Sequence, residues 1–167
     1  MTVAPPPSAP SLGVAAARCA ASETGPAVIV TATGLKDRRG RLRIEIYPDD
    51  AADFLADDNL LVAAGKTFRR AEIEVPPTGP VQICARLPAA GRYTMSVVHD
   101  RDGNRKFGAM SDGIGFPGDP HLGWSKPKAA DANFLAGAGI TRLRVTLNYW
   151  RGFASFGPIK EPRREDR

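Results

Sequence analysis

The chain has 167 residues, 43% of them hydrophobic and 25% charged, with a formal net charge of +5. That length is enough for one domain with a buried core. No run approaches the roughly 18 apolar residues of a membrane helix, which excludes a helical span and points to a soluble protein. The 17 Gly and 15 Pro exceed average usage and indicate many turns.

The N-terminal stretch Met1–Pro10 lacks a positive n-region, and prolines interrupt any apolar run, so it is not a signal peptide. It reads as the start of a mature exported chain, with Met1 an added initiator. The Ala/Pro/Ser bias predicts disorder over residues 1–16. Residues 1–24 are expected to form a flexible leader tethered through Cys19.

Period-two alternation is the dominant signal after that. Val28, Val30 and Ala32 alternate with Ile29, Thr31 and Thr33, predicting a strand over about 27–34. Gly34–Gly40 reads as a hairpin connection into a second strand, where Leu42, Ile44 and Ile46 alternate with Arg41, Arg43, Glu45 and Tyr47. Between 50 and 65 the pattern weakens, leaving a short helix or an irregular loop. Ala71, Ile73 and Val75 alternate with Glu72 and Glu74 until Pro76-Pro77 stops the strand. Val81–Leu87, then Tyr93, Met95 and Val97, and near the end Leu143, Val145, Leu147 and Tyr149 repeat the two-faced pattern. The Gly- and Pro-rich segment from Phe107 to Phe134 predicts a long excursion, with Asp131–Leu135 adding a strand. An apolar and a polar face on each strand is the signature of antiparallel sheets packed face to face. The expected fold is all-β, an immunoglobulin-like or transthyretin-like antiparallel β-sandwich of about seven strands. It should occupy residues 25–152, with 153–167 a C-terminal tail.

Cys19 and Cys84 are the two cysteines, and their separation excludes a CxxC motif. Cys84 falls on the polar face of its strand, alternating with Gln82 and Arg86. That placement predicts a Cys19–Cys84 disulfide pinning the N-terminal segment across the outside of the sheet. Disulfides belong to oxidising compartments, so a periplasmic or secreted location is expected.

The strand Tyr93–Val98 runs directly into His99-Asp100-Arg-Asp102-Gly-Asn104, a loop with oxygen-bearing side chains at every second position. Two uses are open. Alternate oxygens on a tight turn can converge on a hard cation such as calcium, which takes six to eight oxygen ligands; Asp100, Asp102 and Asn104 would supply the first donors and Asp112 a closing one. The full EF-hand pattern fails, because Arg105 occupies its glycine position and Ser111 its closing glutamate. A cationic Arg105 also opposes a cation unless it points away. The commoner use of such residues is to cap the turn by accepting backbone N–H groups.

No catalytic residue is assigned. His99 and His121 are the only histidines. Strand neighbours point to opposite faces, so His99 and Asp100 should not bond side chain to side chain, and no nucleophile elbow, zincin motif or P-loop is present. An enzyme using His99 and acidic loop residues is the alternative to a binding role. The cluster Lys36–Arg43 offers a third, contact with nucleic acid or an anionic surface. No aromatic residues are interleaved with those charges, so a solvated turn is expected and nucleic acid is not an expected partner. Trp124, Phe134, Trp150, Phe153 and Phe156 read as packing residues, with Trp150–Phe156 folding back over an edge of the sandwich.

The chain resembles the exported bacterial domain-of-unknown-function family 2141. The matching pieces are Val30–Leu35, Gly40–Tyr47, Phe54-Leu55, Leu87–Tyr93, Val97–Asn104, Asp112–Phe116 and Val145–Tyr149. Arg105 stands where the family's loop pattern has Gly. The resemblance implies an exported β-sandwich and supplies no activity. The expectation is therefore a non-enzymatic envelope module whose Asp/Asn loop holds a calcium ion or presents a surface to an envelope protein or glycan.

Overall fold

In the computed structural model, the described residues are 4–123, 125–151 and 156–159. Two sheets enclose one core. In the first, β1 (Ala27–Thr33) lies between β4 (Val81–Arg86) and β8 (Ile140–Thr146). The second runs β3 (Arg69–Glu74), β2 (Arg41–Pro48), β5 (Gly91–Asp100). Its far edge is divided: β6 (Gly113–Gly115) pairs with the C-terminal half of β5 and β7 (Asn133–Ala136) with the N-terminal half. A short ribbon joins β9 (Tyr149–Trp150) to β10 (Phe156–Gly157). The helices are short, α1 (Val14–Ala17) and α2 (Asp58–Ala63), with a 3-10 turn at Ala129–Asp131. No described helix is long and apolar enough to cross a membrane.

The alternation places the core as expected. Val28, Val30 and Ala32 face Leu42, Ile44, Ile46, Met95 and Val97 across the sandwich, all buried. The pairings are antiparallel except β1–β8, which is parallel. The connection Gly34–Gly40 is not a hairpin. It carries the chain from one sheet to the other, because β1 pairs with β4 and β8 while β2 pairs with β3 and β5. Turn residues report that the chain reverses; they do not report which strand the next one will pair with.

The segment expected to be a flexible leader is packed where it is described. Arg70 on β3 donates from Nη1 to the carbonyls of Ala9 (2.8 Å) and Leu12 (3.2 Å), and from its backbone N–H to Gly13 (3.1 Å). Ser8 Oγ bonds to the Asp58 carboxylate at 2.6 Å, and Ala17 belongs to the main core. The Cys19–Cys84 disulfide, with Cα atoms 6.1 Å apart, completes the attachment. Residues 8–19 thus form a strap from the outer face of the second sheet, around the β3 and β4 edges, to the outer face of the first. Ala/Pro/Ser composition reports backbone preference, and it carries no trace of the distant Arg70 that satisfies these carbonyls.

The outer face of the second sheet is also less open than alternation implies. From Tyr93 to Asp100 every residue of β5 is buried. Residues around Phe54 and Phe116 lie over this face, with Phe54 edge-on to Tyr47 (5.9 Å) and to Phe116 (5.9 Å). Toward the C-terminus, Phe156 pairs with Trp150 in the β9–β10 ribbon and packs on Phe107, so residues 156–157 are strand rather than tail. Trp124, Phe153 and residues 160–167 lie outside the described residues.

Candidate functional site

The pleat of β5 separates its last two residues. His99 turns into the core and Asp100 outward, and neither is exposed. Beyond them the chain loops back to Asp112, which is 1% exposed and begins the approach to β6. Asp112 closes this loop by accepting from the N–H of Arg101 (2.9 Å) on one oxygen and of Gly108 (2.8 Å) on the other. Asp100 Oδ2 accepts from the Arg105 N–H at 2.8 Å. Arg105 sits at φ 63 in this turn, the left-handed region that glycine enters most readily.

Three of the four expected donors come together. Carboxylate oxygens of Asp100, Asp102 and Asp112 lie within 4.8 Å of one another. Asp100 Oδ1 is buried and has no hydrogen-bond partner among the described residues. Burial pushes the Asp100 carboxyl above its ordinary range; the Arg105 N–H pulls against this, and Asp102 and Asp112 add to the rise. Such a cluster is held at a cost unless positive charge enters it. Asn104 is differently employed: its Oδ1 accepts from the Lys106 N–H at 2.9 Å, as Asp102 Oδ1 accepts from the Asn104 N–H at 3.2 Å. Turn capping and donor convergence therefore coexist in one loop. The Arg105 side chain points away from the carboxylates, its Nε 3.8 Å from Glu72. Arg101 is also drawn off, paired through Nε (3.0 Å) and Nη2 with Asp37.

His99 is committed to structure on both nitrogens. Nε2 lies 2.6 Å from the Arg39 carbonyl, which only accepts, so Nε2 carries the hydrogen. Nδ1 then accepts from the Tyr149 hydroxyl at 2.6 Å, which in turn accepts from the Lys36 N–H at 3.1 Å. Burial pushes the Tyr149 phenol up to about 12, so it remains a donor at neutral pH. The Tyr149 ring fits because Gly113 has no Cβ, which would fall 2.5 Å from the ring. These bonds tie the crossover Gly34–Gly40 to the base of the acidic loop. Sequence reasoning missed Asp37, Tyr149 and Gly40 as parts of this site, and no local signal marks them.

Burial pushes the His99 imidazole below its ordinary value of 6.5, against the Arg39 carbonyl and Asp37, which favour the charged form. Between the folded and unfolded pKa values the unfolded chain binds more protons, so stability falls as pH drops below about 6.5. Urea midpoints at pH 7.5 and 5.5 should show this decline in the parent and a flatter dependence in His99→Gln. Equal slopes would contradict it.

The basic cluster is largely engaged internally. Arg38 donates to the carbonyls of Pro76 (3.2 Å) and Gly79 (2.8 Å), Arg43 lies 2.9 Å from Glu45, and Arg41 lies 3.7 Å from Glu72.

A family model described as an uncharacterized protein conserved in bacteria (DUF2141) matches residues 30–143. No curated protein and no solved structure matches the chain.

Proposed function

The chain belongs to the bacterial family DUF2141, and from that premise we propose that it is an exported β-sandwich module of the cell envelope whose Asp100–Asp112 loop holds a calcium ion. The observation that carries this reading is the buried, partnerless Oδ1 of Asp100 beside the carboxylates of Asp102 and Asp112. A buried carboxyl oxygen without a hydrogen bond is costly, and a hard cation is a partner that three convergent carboxylates favour. Asp100, Asp102 and Asp112 would be its protein ligands. Backbone carbonyls and water would complete the six to eight oxygens calcium takes. A bound ion would stiffen the loop that presents the exposed Asp102, Asn104 and Met110, a surface suited to an envelope protein or glycan. The disulfide supports export, since such bonds persist in oxidising compartments. Support for a binding rather than a catalytic role comes from His99, whose nitrogens are both bonded in the core.

Thermal unfolding of the oxidised protein tests this reading. Calcium at a hundred times its Kd should stabilise by about 2.7 kcal/mol, raising the midpoint by about 5–10 °C for a chain of this size. The Asp100→Ala/Asp102→Ala variant should show no such rise. A parent indifferent to calcium and to chelator would overturn the calcium site.

A further inference from the structure

The strand β8 is a free edge of the first sheet: it pairs with β1 on one side and with no described strand on the other. Two bonds in its parallel ladder fix which backbone groups face β1. The Ala27 N–H donates to the Gly139 carbonyl (3.2 Å), and the Leu147 N–H to that of Thr33 (2.9 Å). Successive residues of a strand direct their backbone polar groups to opposite edges. The N–H and C=O of Arg142 and Arg144 therefore point away from β1, out of the sheet. The Thr146 N–H does the same, and it donates to Asp119 Oδ1 at 2.8 Å. Two other edges are closed: the strap accepts from Arg70 on β3, and Ile114 on β6 exchanges both backbone bonds with Asn148.

The two residues with open backbone groups also carry the charge of this edge. The register sets Arg142 beside Ile29 and Cys84, and Arg144 beside Thr31 and Gln82, on the outer face of the sheet. Neither row contains a carboxylate. Both arginines are exposed, and neither side chain has an ion pair or hydrogen bond among the described residues. Arg86 on β4 differs, since its Nε meets Glu23 at 3.0 Å. Two residues apart on a strand, Arg142 and Arg144 are spaced by roughly 6.6 Å. Alternate side chains of any extended strand laid alongside would repeat at that spacing. An uncovered edge is a template for such a strand.

Charge and hydrogen bonding select the occupant. A second copy joined β8 to β8 would set arginines against arginines, and like charges directly opposite are destabilising. A phosphodiester or a phosphate headgroup would meet the arginines but has only acceptors for an edge that also presents carbonyls. A polypeptide strand supplies both N–H and C=O, and carboxylates at every second position would lie beside Arg142 and Arg144. We propose that β8 accepts an added β-strand from a partner protein, in a segment with acidic side chains at alternate positions. The docking window is residues 140–145, between the turn at 137–139 and the Thr146 N–H already taken by Asp119. The inference does not rest on a cation in the acidic loop.

The test is a two-dimensional amide NMR titration of the oxidised full chain with capped heptapeptides that alternate threonine with glutamate, lysine or glutamine. The glutamate peptide should shift the amides of Arg142 and Arg144 saturably, protect both from exchange, and bind at least tenfold tighter than the lysine peptide. Arg142→Glu/Arg144→Glu, altered only at exposed side chains, should reverse that preference. Two further peptides, N-methylated at the glutamates or at the threonines, test strand addition on the parent and serve if the variant fails to fold. Alternate residues face opposite edges, so one methylated peptide should bind like the unmodified one and the other should not bind. The proposal is overturned if the glutamate peptide leaves these amides unmoved, if the lysine or glutamine peptide binds as tightly, if the folded variant keeps the parent's preference, or if both methylated peptides bind. It is also overturned if a thymidine oligonucleotide or phosphatidylglycerol vesicles engage these amides and the glutamate peptide does not.

Discussion

Reducing the Cys19–Cys84 bridge is expected to lower the unfolding free energy by roughly 4 kcal/mol, the chain-entropy value for a loop of this length. The two cysteines are separated by 65 residues, so the bond removes much freedom from the unfolded chain. It also anchors the strap on the folded side. Without it, Ala17 and the turn α1 are held by the Arg70 bonds to Ala9, Leu12 and Gly13. Urea unfolding of the oxidised parent, the reduced parent and a Cys19→Ser/Cys84→Ser variant measures the effect. The latter two should coincide well below the first. A loss under about 1 kcal/mol would mean that strain or residual structure in the reduced chain cancels the entropic gain. A large loss would make full stability conditional on an oxidising compartment, in keeping with export.

The second large effect is expected at Gly40. It sits at φ +70, and a Cβ there would fall 2.0 Å from the carbonyl oxygen of Asp100. Left-handed backbone costs a non-glycine residue roughly 1–2 kcal/mol, and overpacking adds roughly 1–3 more. The neighbouring backbone has little room to move, because Arg41 and Asp100 are paired across β2 and β5. Gly40→Ala should therefore destabilise by about 3 kcal/mol or more. Gly79→Ala is the control: its φ is +82 with nothing within 4 Å of the added carbon, so only the backbone cost applies. Similar losses in the two variants would show that the crossover does not press on the acidic loop. If Gly40→Ala folds, it should also weaken the calcium response, since the displaced carbonyl belongs to Asp100.

Much of the fold is legible because burial on one face writes itself as period two. Val28–Val30–Ala32 and Leu42–Ile44–Ile46 are readable as inward rows, and Cys84 is readable as outward, which is why the disulfide could be anticipated. Strand pairing is less legible. Gly34–Gly40 looks like any reversal, and the parallel β1–β8 pairing joins segments more than a hundred residues apart in the chain. The strap is hidden for a similar reason, since its carbonyls are satisfied by Arg70 on a remote strand. At the acidic loop, spacing marks Asp100 and Asp102, and Asp112 is within reach of the same pattern. The shielding of the carboxylates from Arg101 and Arg105 depends on Asp37 and Glu72, whose positions only the folded chain determines. Tyr149 as the partner of His99 is likewise invisible until Gly113 lets its ring approach.

Isothermal titration of calcium into the chelator-treated, oxidised protein, beside Asp100→Asn, tests the central claim most directly. A saturable heat with one ion per chain in the parent, absent or severely weakened in Asp100→Asn, is the predicted result. No saturable heat in the parent, or an unchanged affinity in Asp100→Asn, would contradict it and leave the Asp100, Asp102 and Asp112 cluster as turn chemistry alone.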